Sequence, residues 1–284
     1  MKTLLVPFDF SETATFALDF ALELAEKSGA ALHVLHVVEV PANYTLNTMG
    51  GGVDPNASEM EQVYFVELVE KRKKDLAELS AKYADKSFAF VTKLQLGSPF
   101  SGISKEIAEV EADMVIMGSR GSSGLEELLI GSNTEKVVRY AKCPVLTIKG
   151  PTALDSLKKI VYASDFTAKK DAVIGQLVDL QQTLGAELYL VKVNTPSAFE
   201  SSRTSFEKIE AFIEQHEIQH VTAEIYNSPS EEEGIVDYAQ DIDADLIALG
   251  THGRTGFLHL LSGSIAEDVV NSAKRPVWTM KIQK

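Results

Sequence analysis

The sequence predicts an α/β protein in which one unit, an open parallel five-stranded sheet with helices on both faces, is built twice in tandem. Three observations carry that prediction. Short continuous apolar runs alternate with amphipathic helical patterns, the order expected of βαβ units. The alternation recurs in the second half of the chain. In each half a glycine pattern follows an apolar run at the same intervals, "GSRGSSGLEELLIGS" from Gly118 and "GTHGRTGFLHLLSGS" from Gly250.

The first copy reads strand by strand. Thr3–Pro7 is an apolar run that ends at a proline. A helix over 13–27 puts Ala14, Ala17, Leu18, Ala21, Leu22 and Ala25 on one face, with Glu23 and Glu26 off it. Ala31–Val38 is the second strand, and 89–96, Met114–Gly118 and 145–149 complete the set. Such runs suit strands covered on both faces. Residues 41–59 hold three glycines, two prolines and three asparagines, the composition of a mobile loop.

The second copy follows by alignment. Asp9 meets Asp165 and Gly29 meets Gly185 at an offset of 156; Gly118, Gly121 and Gly131 meet Gly250, Gly253 and Gly263 at an offset of 132. The second copy is therefore 24 residues shorter in its middle. The boundary falls near 149–156, giving expected domains of 1–150 and 151–284, each long enough for its own core.

Composition narrows the function. With 284 residues, 45% hydrophobic and 24% charged, the chain has ordinary soluble composition. A net charge of −14 argues against nucleic acid or an anionic membrane as the main partner. It leaves room for a small polyanion held by local dipoles. No stretch reaches the roughly 20 apolar residues of a membrane span. "MKTLLVPFDFSE" is interrupted by Pro7, Asp9 and Glu12, so it reads as a strand rather than a signal peptide, and a cytoplasmic location is expected. Cys143 is the only cysteine, which excludes an intrachain disulfide and a thiolate zinc site.

In parallel α/β sheets ligands bind beyond the carboxyl ends of the strands. The pattern G-x2-G-x9-G-S starts at such an end, after Met117. Gly118 and Gly121 allow positive φ or close backbone approach. A short helix is expected over 123–129, after which Gly131 ends the turn. Ser132 and Glu135 read as a capping box, S-x-x-E, as do Ser264 and Glu267. The helix they open would turn its unpaired N–H groups and positive dipole end toward the space beside the glycines, which suits a phosphate. A tight turn without ligand satisfies the same pattern, and both readings stay open. The pattern is neither G-x4-G-K-[ST] nor G-x-G-x-x-G.

Asp9 and Asp165 each follow a first strand. A carboxylate there accepts from a base or ribose hydroxyl, or caps the next helix beside Ser11 or Thr167; these too stay open. Arg120 and Arg254 sit in the glycine loops, as phosphate contacts or exposed side chains. His252 is a loop surface histidine in this reading. His216 and His220 are i, i+4 and share a face if their helix extends that far, a weak metal signal. His33 and His36 fall on opposite faces of one strand. "KRKK", 71–74, reads as a solvated face. Neither a base nor a metal pair for hydrolysis stands out.

Taken together, "LLVPFDFSETA", "HVLHVV" and "DMVIMGSRGSSGLEELLIGSNTEKVVRYAKCPVLTIK" resemble the universal stress proteins, twice over and across nearly the whole chain. G-x2-G-x9-G-[ST] is that family's ATP signature. The resemblance implies strand order 3-2-1-4-5, an adenine nucleotide alpha hydrolase-like fold, and ATP (or AMP or ADP), with Mg as a companion ion. It implies that Pro7, Phe8 and Val37 border the adenine and that Asp9 contacts adenine or ribose. Met117, Gly118, Arg120, Gly121, Gly131, Ser132, Asn133 and Thr134 would then hold ribose and phosphates. The matching residues of the second copy are Ala163, Ser164, Asp165, Val193, Gly250, Gly253, Gly263 and Ser264. Ile265 and Ala266 replace Asn133 and Thr134 there, which favours the first copy for a triphosphate. Members pair their last strands edge to edge across a dimer. Here 145–149 and 277–281 can pair within one chain as a pseudo-dimer, and a homodimer of such chains is compatible with this. The function expected is a nucleotide-binding stress or signalling module acting on an unknown protein partner. A slow Mg-dependent ATPase and a nucleotide-free interaction scaffold are the alternatives.

Overall fold

A computed structural model describes residues 1–40, 59–119, 130–167, 172–252 and 265–282. The first half runs β1 (Thr3–Pro7), α1 (Glu12–Ser28), β2 (Ala31–Val38), α2 (Glu59–Lys82), β3 (Phe90–Leu96), α3 (Pro99–Glu109), β4 (Met114–Gly118), α4 (Ser132–Tyr140) and β5 (Val145–Ile148). The second runs β6 (Lys159–Ala163), α5 (Ala172–Leu184), β7 (Glu187–Asn194), α6 (Ser202–Gln215), β8 (Val221–Asn227), α7 (Glu231–Asp241), β9 (Leu246–His252), α8 (Ile265–Ser272) and β10 (Val277–Ile282). The loop expected over 41–59 lies outside the described residues apart from Glu59, which opens α2. The helix expected over 123–129 lies outside them altogether.

Each half has the order 3-2-1-4-5, but the halves are not separate sheets. β5 and β10 pair antiparallel, Leu146 opposite Trp278, and fuse them into one ten-stranded sheet, β3-β2-β1-β4-β5-β10-β9-β6-β7-β8. Every other pairing is parallel. The junction hides two strand edges that would otherwise be open to association. Its side chains join too: the Thr147 hydroxyl donates to the Val277 carbonyl at 3.1 Å.

Alternate strand residues face opposite layers. Leu4 and Val6 join α1, α5 and α6 residues in one apolar core, while Leu5 joins α3, α4, α7 and α8 residues in the other. Both cores run through both halves, so the two copies share their interior. That two-sided burial is why the strands read as unbroken apolar runs.

Local signals set the element ends. The Ser11 hydroxyl caps α1 by accepting from the Ala14 N–H, and Gly29, at φ +72°, closes it in the left-handed region. Gly185, at φ +68°, does the same after α5. Each fourth strand is preceded by an aspartate tied to the entry of the first. Asp113 Oδ2 accepts from the Thr3 N–H at 2.9 Å, and Asp245 Oδ2 from the Lys158 and Lys159 N–H groups at 2.8 Å.

One condition is not met here and one expectation fails. α6 stops at Gln215, and His220 sits beyond it at φ +52°, so His216 and His220 share no helix face. His252 is the last residue of β9 rather than part of a loop.

Candidate functional site

The carboxyl ends of β1, β2 and β4 open into a cleft of about 400 Å³. That volume lies in the range of small-molecule sites. Its walls include Pro7, Phe8, Asp9, Val37, Met117, Gly118, Gly131, Ser132, Asn133 and Thr134, all expected from the sequence. Arg120 and Gly121 lie outside the described residues. The topology gathers these segments because β1 and β4 are neighbours whose following helices leave toward opposite faces, the switch point of such a sheet.

At one end of the cleft the chain turns sharply after β1. Asp9 Oδ1 accepts from the Ser11 N–H at 3.0 Å, and Phe10 is held at φ +64°. The second copy repeats this, with Asp165 Oδ1 on the Thr167 N–H at 3.1 Å and Phe166 at φ +54°. A bulky residue in the left-handed region is uncommon and clusters at functional positions. The cap itself is Ser11, so Asp9 shapes the turn and helps line the cleft.

Two residues at this end went unrecognised in the sequence. His36 is buried, and its Nδ1–H donates to the Phe8 carbonyl at 2.6 Å. That bond sets the tautomer and leaves Nε2 as the acceptor of the neutral ring. Burial pushes its pKa below the usual histidine value, with the Phe8 carbonyl acting the other way. Arg72 lies 4.5 Å from the Phe10 ring centre and pairs with Asp75 at 3.0 Å. It is a cleft residue, not part of a purely solvated "KRKK" face. A signal existed: Leu68, Arg72 and Leu76 step by four along α2, so Arg72 shares the inward face with buried Leu76.

At the other end stands the start of α4. Here the capping-box expectation is corrected. Gly131 is the N-cap, Ser132 is the first helical residue, and the cap residue makes no side-chain hydrogen bond to the first turn. A glycine cap offers no side-chain acceptor of its own to the first-turn N–H groups. Gly131 donates its own N–H to the Ser119 carbonyl at 2.9 Å. Thr134 is buried and its hydroxyl donates to the Gly118 carbonyl at 3.1 Å, which anchors α4 on β4. Ser132 is exposed and Asn133 half-buried at the cleft.

Gly118 is also corrected. It ends β4, as the sequence places it, but it is not at positive φ. A Cβ there would sit 2.7 Å from the Thr13 carbonyl carbon, so the glycine serves the packing of α1 on β4.

The second half has a cleft of about 350 Å³, lined in part by Ala163, Ser164, Asp165, Val193 and Gly250. Gly253, Gly263 and Ser264 lie outside the described residues. Its chemistry differs. Lys192 replaces His36 and, together with Lys208, holds the Glu200 carboxyl down to about pKa 2. Glu231 occupies the place of Pro99, and Ile265 and Ala266 line the wall where the first cleft has Asn133 and Thr134. Glu267 is buried and paired with Arg139 of the first half at 3.1 Å, while Ser264, its expected capping-box partner, lies outside the described residues.

Among the described residues no helix is long and apolar enough to cross a membrane. No group of three metal-ligating side chains occurs among them either.

Comparison with known proteins places this architecture. A universal stress protein of Synechocystis sp. is 24% identical over 99% of this chain and 100% of its own length. One from Methanocaldococcus jannaschii is 30% identical over 52% of this chain and 94% of its own. The crystal structure of a universal stress protein from Archaeoglobus fulgidus superposes with a TM-score of 0.74, at 24% identity, over 99% of this chain and 97% of that one. The model of the universal stress protein family matches twice, at residues 1–149 and 156–281, so the chain belongs to that family and carries its unit in tandem.

Proposed function

We propose that the first half binds an adenine nucleotide, ATP in the first place, and that the bound nucleotide biases a surface read by a protein partner. One observation carries the reading: the 400 Å³ cleft joins a peptide-lined end at Pro7, Phe8 and Val37 to a helix start whose N-cap is glycine. The first end offers flat, partly apolar walls and backbone groups suited to a base. Asp9 lines the same cleft and offers a carboxylate to ribose hydroxyls. The α4 end offers the Ser132 hydroxyl, the Asn133 amide and a positive dipole for phosphates. Arg72 adds a cation to the cleft wall of an otherwise acidic chain. The donor set therefore fits the nucleotide, and the nucleotide would supply the phosphate charge that α4 is placed to receive.

The second cleft repeats the turn at Asp165 but sets Glu231 and apolar Ile265 and Ala266 where phosphates would lie. It is assigned a weaker affinity for ATP.

The test is calorimetric titration with Mg-ATP, ADP and AMP, beside quantification of nucleotide released on denaturing freshly purified protein. Gly131→Val puts a branched side chain at the N-cap, and it should abolish ATP binding while the circular dichroism stays unchanged. Absence of binding by the wild-type chain would refute the reading. Phosphate release above the buffer rate would replace the effector role with slow hydrolysis.

A further inference from the structure

We infer that Asn271, on α8 of the second half, is a positioning residue for the phosphate end of the first half's cleft. Its Oδ1 accepts from the Ile130 N–H at 3.0 Å, across 141 residues of chain. Ile130 directly precedes Gly131, the N-cap of α4. The next links are backbone: Gly131 N–H to Ser119 O at 2.9 Å, and Glu135 N–H to Gly131 O at 3.0 Å. The entry to α4 is thus held from β4 on one side and from the other half of the molecule on the other.

A second contact makes the same crossing. Arg139, in the last turn of α4, pairs with buried Glu267 one turn before Asn271 on α8. α4 is therefore clamped to α8 at both of its ends. The asymmetry is informative. Arg139 and Asn271 occupy equivalent places in the two copies, at the 132-residue offset. One retains a long cation and the other a short amide. Only the amide acts as an acceptor for a backbone N–H beside a helix start. An amide Oδ1 at this place does for Ile130 what a side-chain N-cap does for a helix: it fixes the peptide that sets the direction of the first turn. The first cleft is then complete only in the fused protein.

This role rests on the nucleotide reading above, and the test separates the two. Asn271→Ala in the full chain should weaken ATP binding roughly fivefold to tenfold, the loss of one hydrogen bond. Adenosine, which lacks phosphates, should bind both proteins alike. Asn271→Asp keeps an acceptor for Ile130, while its negative charge opposes the phosphates, so it reports on the Ile130 amide and not on ATP affinity. In the ligand-free protein, hydrogen exchange at the Ile130 amide should quicken in the alanine variant and recover in the aspartate variant. Equal ATP affinity in wild type and Asn271→Ala overturns the inference, as does a parallel loss of ATP and adenosine. Unchanged Ile130 exchange overturns it independently of any ligand. If wild-type protein binds no ATP, the nucleotide reading falls first and this role with it.

Discussion

Gly118→Ala tests whether that glycine serves the fold or the ligand. The added methyl would lie 2.7 Å from the Thr13 carbonyl carbon, 2.8 Å from its Oγ1 and 2.9 Å from its Cβ. Ordinary contact begins near 3.4 Å, so α1 must retreat from β4 by roughly 0.7 Å at its first turn. β4 is buried throughout and α1 buries Ala14 and Ala17 just past Thr13, so close packing opposes the shift. Overpacking of this kind costs about 1–3 kcal/mol, a fall in midpoint of roughly 2–12 °C for a chain of this size. Thermal unfolding followed by circular dichroism measures it. The decisive arm is the double variant with Thr13→Ala. That change removes Oγ1 but leaves the 2.7 Å and 2.9 Å contacts, so little stability should return. Full recovery in the double variant would refute the backbone argument. A silent Gly118→Ala that loses only ATP binding would return the glycine to a ligand role.

Three further outcomes are expected. His36 resists protonation when folded, because of its burial, so below about pH 6.5 the unfolded chain binds the proton more readily and stability falls. Denaturation midpoints at pH 7.5 and 5.5 should differ less in His36→Gln than in wild type, with His33, shifted the same way, supplying the remaining slope. Arg139→Ala removes the cation that pairs with the buried Glu267 carboxylate across the halves and should destabilise by about 1–3 kcal/mol, while a paired Arg139→Leu, Glu267→Leu change recovers most of it. An unaltered midpoint in Arg139→Ala would show that the clamp carries no energy. Burial pushes the Cys143 thiol up to about 12, so a thiol reagent at pH 8 should titrate none in the native protein and one in denaturant.

Where sequence reasoning succeeded and failed follows from the range of the interactions. Apolar periodicity is local, and it located all five strands of the first copy within a residue at each end. The duplication needed only self-comparison, and it predicted Asp165 in a turn equivalent to that of Asp9. Met117, Gly118 and Gly131 at the first cleft followed from the glycine pattern at a strand end, and Pro7, Phe8, Val37, Asn133 and Thr134 from the family resemblance. The roles inside that cleft were less legible. Gly118 looked like a glycine kept for positive φ or a ligand's approach because its contact with Thr13 joins elements over a hundred residues apart. Ser132 looked like a cap because S-x-x-E permits one, yet the turn is set one residue earlier by the Gly131–Ser119 bond. Arg72 was lost in a charge run, although the leucines four residues either side of it marked the inward face.

By itself, then, the amino-acid order determined the repeat, the strand and helix alternation and the family, since each depends on spacing along the chain. The β5–β10 pairing implied by the family resemblance makes one ten-stranded sheet, while tertiary structure decided that Phe10 and Phe166 are held at positive φ. It also decided that α8 of one half holds the start of α4 in the other. These depend on which surfaces meet across long sequence separations, and a side chain's role there is set by the neighbour that packing places beside it.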